Sequence, residues 1–289
     1  MAIGRGEGLG LVLAGAGAAS YAVSAVLTGL AYGEGINPMT LVASRFSLAA
    51  LVVCILLVTW RRSIVLPRAA WPLLAGMVAG SLGTAIGYMS AIDYIPVSLA
   101  VLIFYTFPIL VPLAEAALER RAPSLRLLLA SLVGFAGLAF ALGPDLSGLD
   151  WRGIAFGLLA AFSALPLFLC GRRLVLRYDA VAVAAHINLI SLTLAFLMAV
   201  LGAGIAFPGT AVVWLYLFGV CGFFASAFML QLYAVRHASA GSAAMVFNAE
   251  PLLTILIAWF FLGQALGWVQ WLGVGLVFFA LSLLVNRKG

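Results

Sequence analysis

Apolar residues in this chain fall in long unbroken runs, not in the alternation of a half-buried strand or the three-to-four spacing of a surface helix. Ten runs stand out, at about 9–32, 38–60, 69–92, 95–118, 126–144, 152–171, 180–203, 211–235, 238–262 and 267–285. A helix needs about 20 apolar residues to cross the hydrocarbon core of a bilayer. In lipid each backbone polar group must be satisfied internally, which leaves helices or closed barrels. Barrel strands alternate apolar and polar positions, and these runs do not. The pattern predicts an all-α integral membrane protein of ten transmembrane helices joined by short loops.

Composition removes the soluble alternatives. Of 289 residues, 65% are hydrophobic and 8% charged, against about 25% charged in a typical soluble domain. A net charge of +6 would suit nucleic acid if it were clustered, but the charges sit in short loops. Arg5, then Arg61, Arg62 and Arg68, then Arg120, Arg121 and Arg126, then Arg172, Arg173 and Arg177, then Arg236, Arg287 and Lys288 all fall on one side of a ten-span topology. The other side holds Arg152 with Glu34, Asp93, Asp145 and Asp150. Basic loops stay in the cytoplasm, so both termini are expected there, in a cell inner (plasma) membrane. The first run is too long for the apolar part of a typical signal peptide and reads as a retained helix. Trp60, Trp71, Trp151, Trp214, Trp259 and Trp268 lie near run ends, as interfacial tryptophans do. Cys54, Cys170 and Cys221 lie inside runs and read as small core residues.

The chain also aligns with itself at an offset of 143 residues. Gly10 meets Gly153, Ser20 meets Ser163, Trp71 meets Trp214, Phe104 meets Phe247 and Pro108 meets Pro251. Every run lands on a run. Residues 1–145 and 146–289 then form two five-helix repeats within one membrane domain. An odd helix number forces consecutive repeats to face opposite ways, and the loop charges agree: Glu34 corresponds to Arg177, and Asp93 to Arg236. Inverted repeats around a central cavity characterise secondary transporters.

The segments ASRFSLAALVV in the second run, FYTFPILVPLAEAALERR around the fourth, and FNAEPLLTILIAWFFLGQALGWVQWLGVGLVFFAL at the end resemble the drug/metabolite transporter superfamily, EamA type. Within it they are similar to aromatic amino-acid exporters of the YddG kind. The resemblance covers nearly the whole chain. It implies a ten-helix bundle around a central cavity, exporting amino acids or other small metabolites. The acidic residue often found after the ninth helix is Gln264 here, whereas Glu119 keeps it in the first half.

Ionisable residues inside spans are costly and often functional. Arg45 is placed to hold a substrate carboxylate, or to pair with Glu250 or a backbone carbonyl. Glu250, nearest the bilayer centre and followed by Pro251, is a candidate for a substrate ammonium or a coupling proton. Glu115 is close enough to the basic loop to reach the cytoplasmic interface. Pro108 and Pro251 predict paired kinks or hinges. Ser20, Tyr21, Ser24, Tyr88, Tyr105, Ser163, Asn188, Gln231 and Asn248 are candidate cavity residues, with Phe104, Phe107 and Phe247 adding aromatic surface. His186 and His237 have no second ligand one turn away, so no metal is expected. Phosphate loops, nucleotide-binding motifs and nucleophile elbows do not appear, so neither a cofactor nor enzymatic activity is expected. The expected function is export of small organic metabolites, most simply amino acids and including aromatic ones, by alternating access. Drugs, nucleobases or sugar derivatives are alternative cargo, and a channel or intramembrane enzyme fits the pattern less well. The expected partners are a small-molecule substrate and the lipid bilayer, with no nucleic acid and a monomer sufficing.

Overall fold

A computed structural model describes residues 5–144, 146, 149–198, 209–263 and 265–285. The expectations for Asp145, Gln264, Arg287, Lys288 and the end of the 180–203 run lie outside the described residues. The chain forms helices α1 (Arg5–Gly33), α2 (Pro38–Thr59), α3 (Trp71–Ile92), α4 (Val97–Phe104), α5 (Phe107–Leu118), α6 (Leu125–Leu142), α7 (Trp151–Arg177), α8 (Ala180–Met198), α9 (Ala211–His237), α10 (Ala240–Val246), α11 (Ala249–Leu262) and α12 (Trp268–Val285). Among the described residues nine helical stretches are long and apolar enough to cross a membrane, and a shorter apolar one covers Trp268–Leu284. The expected runs are therefore helical. Two are not continuous: the fourth run breaks between α4 and α5, and the ninth between α10 and α11.

Polar side chains at the loop edges start the helices by accepting from otherwise unpaired backbone N–H groups. Asn37 accepts from Thr40 N at 2.7 Å, Asp150 from Arg152 N at 2.8 Å and Ser239 from Ser242 N at 2.9 Å. Gly263 (φ 67°) and Arg120 (φ 52°) follow the ends of α11 and α5 in the left-handed region. They are 143 residues apart, so the same backbone exit recurs in both halves.

Packing follows the same relation. The main interfaces pair α1 with α9, α3 with α7, α6 with α12 and α2 with α8. A 143-residue shift turns the α1–α9 pair into the α3–α7 pair and maps each of the other two onto itself. Small residues allow these helices to approach closely. A Cβ on Gly87 would lie 2.7 Å from Ala160 N, and one on Gly137 would lie 2.9 Å from Gly273 O. Large side chains such as Leu51, Phe260 and Phe279 are left exposed on the outside of the bundle, where lipid would cover them.

Two sets of connections gather on two faces. On the first, an arginine-rich face, Arg62 pairs with Asp179 at 3.1 Å, and Arg172 meets Glu119 at 3.9 Å and donates to Ala238 O at 3.1 Å. On the second, Tyr94 stacks on Phe156 and lies under the Arg152 guanidinium at 4.5 Å, while Ala31, Ile36 and Leu41 pack with Val213 and Leu217. The connection leading into α3 is on the first face. The start of α9, the counterpart of the start of α3, is on the second.

Candidate functional site

The breaks in the fourth and ninth spans bring polar groups to mid-membrane depth. Pro108 and Pro251 are both buried at the starts of α5 and α11. A proline there lacks an N–H that a first helical turn leaves unpaired anyway, so it starts a helix well and continues one badly. The interruptions at Tyr105–Thr106 and Phe247–Asn248 lie just ahead of the two prolines.

Glu250 stands in the first turn of α11. It stays partly open although Ala249, Pro251 and Leu252 around it are buried. The buried Tyr105 side chain, from the other broken span, faces the Glu250 carboxyl. Arg45 on α2 is also half-buried. Its Nη2 donates to Thr28 Oγ1 at 2.6 Å, its guanidinium lies 5.3 Å from the Phe224 ring centre, and its Nε has no partner. Arg45 and Glu250 are near enough to feel each other's charge, yet no ion pair joins them among the described residues. Of the pairings expected for Arg45, neither the one with Glu250 nor the one with a backbone carbonyl is present among the described residues; Thr28 takes that place.

Aromatic rings join the two charged positions. Tyr21 packs on Phe224 and Phe247 at 5.7 and 5.9 Å. Phe247 meets Phe168, Phe168 stacks on Phe107, and Phe107 touches Phe104 and Tyr105. Tyr88 closes the series against Phe104 at 5.9 Å. Tyr21 also donates to Gln231 Oε1 at 3.2 Å. Nine of the predicted residues, Arg45, Glu250, Gln231, Tyr21, Tyr88, Tyr105, Phe104, Phe107 and Phe247, thus belong to one connected region.

The other predicted residues are differently employed. Ser20 donates to Ala16 O at 2.9 Å and Asn188 to Ala184 O at 2.8 Å, each on its own helix. Ser24 donates across to Val220 O at 3.0 Å and ties α1 to α9. Ser163 packs against Gly83 in the α3–α7 interface. Asn248 is fully buried with both amide atoms unpartnered, its Nδ2 directed at Gly134. Sequence reasoning did not single out Phe168, Phe224 or Thr28. Phenylalanines are common here, and a threonine one turn after a serine carries no signal until helix pairing is known. Glu115 is turned inward and 4% exposed, against the expectation that it reaches the interface.

The profile of the EamA-like transporter family matches residues 8–143 and again residues 151–286, the second match beginning 143 residues after the first. The chain belongs to the EamA-like transporter family. It is therefore a multi-pass membrane protein and a transporter of the drug/metabolite type. No curated protein matches the chain. Among solved structures, one described only as "Crystal structure of protein" aligns with a TM-score of 0.83 at 19% identity, over 96% of this chain and 99% of that one. At that identity the likeness speaks to fold. This EamA-like transporter shares the architecture almost end to end, and its mid-membrane residues must be read on their own chemistry.

Proposed function

We propose that this protein is a secondary carrier that exports zwitterionic amino acids, aromatic ones included, across the inner membrane by alternating access. Residues 1–145 and 146–289 act as inverted five-helix repeats, with both termini and the arginine-rich face in the cytoplasm. One observation carries the substrate reading. Two opposite charges, Arg45 and Glu250, stand half-buried within the spans without pairing with each other, and a run of aromatic rings links them. Unpaired charges are expensive in this setting, and a ligand with the complementary charges relieves both. The free Arg45 Nε suits a carboxylate, to which guanidinium groups bind in fixed geometry. Glu250 suits an ammonium, and the rings from Tyr21 to Tyr88 suit a flat apolar side chain.

The repeated match at a 143-residue interval and the interchange of helix pairs support two equivalent halves moving about this region. Reconstituted protein tests the proposal by counterflow. Uptake of a labelled aromatic amino acid into preloaded vesicles is expected to saturate. Unlabelled amino acids should compete, and nucleobases and sugar derivatives should not. Flux that never saturates, or equal competition by the neutral solutes, contradicts it.

A further inference from the structure

Where α5 meets α10, a single carboxylate bridges the two halves of the chain. Glu115 Oε1 accepts the Ala240 N–H and Oε2 accepts the Gly241 N–H, both at 2.9 Å. The carboxylate is almost fully buried, with Arg172 Nη1 and Arg121 Nη2 each 3.9 Å from one of its oxygens. Arg172 also donates to Ala238 O just ahead of α10. Packing reinforces the bonds: a Cβ on Gly241 would lie 2.7 Å from Pro112 Cβ. All of α10 is buried.

The repeat supplies the comparison. Shifted by 143 residues, the contact would join Ala258 on α11 to Val97 and Ser98 on α4. Alanine has no acceptor to offer, Val97 is 53% exposed, and α4 and α11 do not pack together as α5 and α10 do. Among the described residues, the broken spans are bonded to each other at one face and not at the other.

We infer that Glu115 is the latch of the cytoplasmic gate and sets the protein's resting preference for the state open to the opposite side. Inward opening must part α5 from α10 and so break both bonds to a buried carboxylate. Each such charge-assisted bond is strong because its loss leaves a desolvated charge. Among the described residues the opposite gate has no such latch, so the two access states are biased by this one carboxylate. The inference rests on alternating access but not on the identity of the cargo.

The test uses the full-length protein in oriented vesicles with its native cysteines replaced. One reporter cysteine replaces Ala244 behind the latch, and another replaces Ser98 in the opposite mouth. A membrane-impermeant maleimide is applied to the face that each reporter is read from. In the otherwise wild-type protein, Ser98→Cys is expected to react quickly and Ala244→Cys slowly. Glu115→Ala should raise the Ala244→Cys rate on the order of tenfold or more and lower the Ser98→Cys rate, since populations shift as bonds selective for one state are lost. Glu115→Gln keeps one acceptor and should move both rates partway. It also serves if the alanine variant does not fold, as judged by gel filtration. Unchanged rates in the folded variants overturn the latch, and so do two rates that rise together, which would signal loosening instead of exchange. Counterflow that persists with unchanged labelling faults the latch alone. Labelling that shifts while amino acids fail to counterflow faults the cargo alone.

Discussion

The two ends of the broken spans share one backbone plan and differ in chemistry. At the arginine-rich face, α5 and α10 are locked by Glu115, by Pro112 against Gly241, and by Arg172 bridging to Glu119 and Ala238. At the opposite face, α4 and α11 occupy the corresponding places with Ala258 where the glutamate would be. The nearest ion pair there, Asp150 with Arg152 at 2.6 Å, is local to the start of α7, and Arg152 meets the other half by lying over the Tyr94 ring and not by a bond between the broken spans. A duplicated scaffold supplies two possible gates. A few side chains decide which one is closed at rest.

Six substitutions bear on that comparison. The largest effect is expected midway between the two ends, where both gates must reach. Glu250→Gln should lower counterflow by about thirtyfold or more, the cost of removing one member of a buried charge contact, with the gel-filtration profile unchanged. A milder loss would remove Glu250 from the substrate contact. Next, Gly241→Ala pushes a methyl into Pro112 and should cost about 1–3 kcal/mol of packing in the closed gate. Ser98→Ala, at the mate position, should change stability by less than about 0.5 kcal/mol. Thermal unfolding of the two variants checks this, and equal effects would erase the difference between the gates.

Smaller effects come from the loop exits. Arg120 adopts φ 52° where its mate Gly263 adopts φ 67°. Arg120→Gly should stabilise by up to about 1 kcal/mol and Gly263→Ala should destabilise by about as much, because only glycine enters this region freely. Equal and opposite shifts in unfolding midpoint would show that the two exits are equivalent. The smallest effect lies at Asp150, whose carboxyl is held below its ordinary value by its hydrogen bonds to the Arg152 side chain and backbone. A depressed pKa stabilises the fold above the unfolded value, near pH 4, and that contribution disappears as pH falls through the folded value. Arg152→Gln should bring the Asp150 titration, followed by NMR, back up toward the ordinary range. Because the pair is exposed, the change in stability should be hard to measure.

Much of the fold was legible in the sequence because lipid imposes a strict rule on span length and apolarity. The ten runs, their short loops and the 143-residue register needed only counting. The breaks were less legible. Pro108 and Pro251 marked the vicinity, but both lie just inside the following helix, and a proline in that position is consistent with a continuous kinked span or an interrupted one. The site was legible by residue type and obscure by partner. Tyr105 and Glu250 come from different halves, and Arg45 finds Thr28 on α1, so the contacts required the helix pairing. Ser20 and Asn188 show the converse: a polar side chain within a span satisfies itself on its own helix carbonyl, and nothing in the sequence separates it from one that faces a ligand. Glu115 illustrates the cost of reading distance along the chain. It is one turn from a basic loop, and Arg121 of that loop lies 3.9 Å away, yet both carboxylate oxygens accept hydrogen bonds from α10.

The most direct test of the zwitterion site is equilibrium binding of a labelled aromatic amino acid to purified protein, with competition by two analogues, one without the carboxylate and one without the ammonium. The wild-type protein should bind the intact amino acid best. Arg45→Gln should weaken the intact amino acid and the analogue without an ammonium, and leave the analogue without a carboxylate unaffected. Glu250→Gln should show the reverse selectivity. If each substitution weakened all three ligands alike, the charges at Arg45 and Glu250 would be holding the protein together and not the substrate.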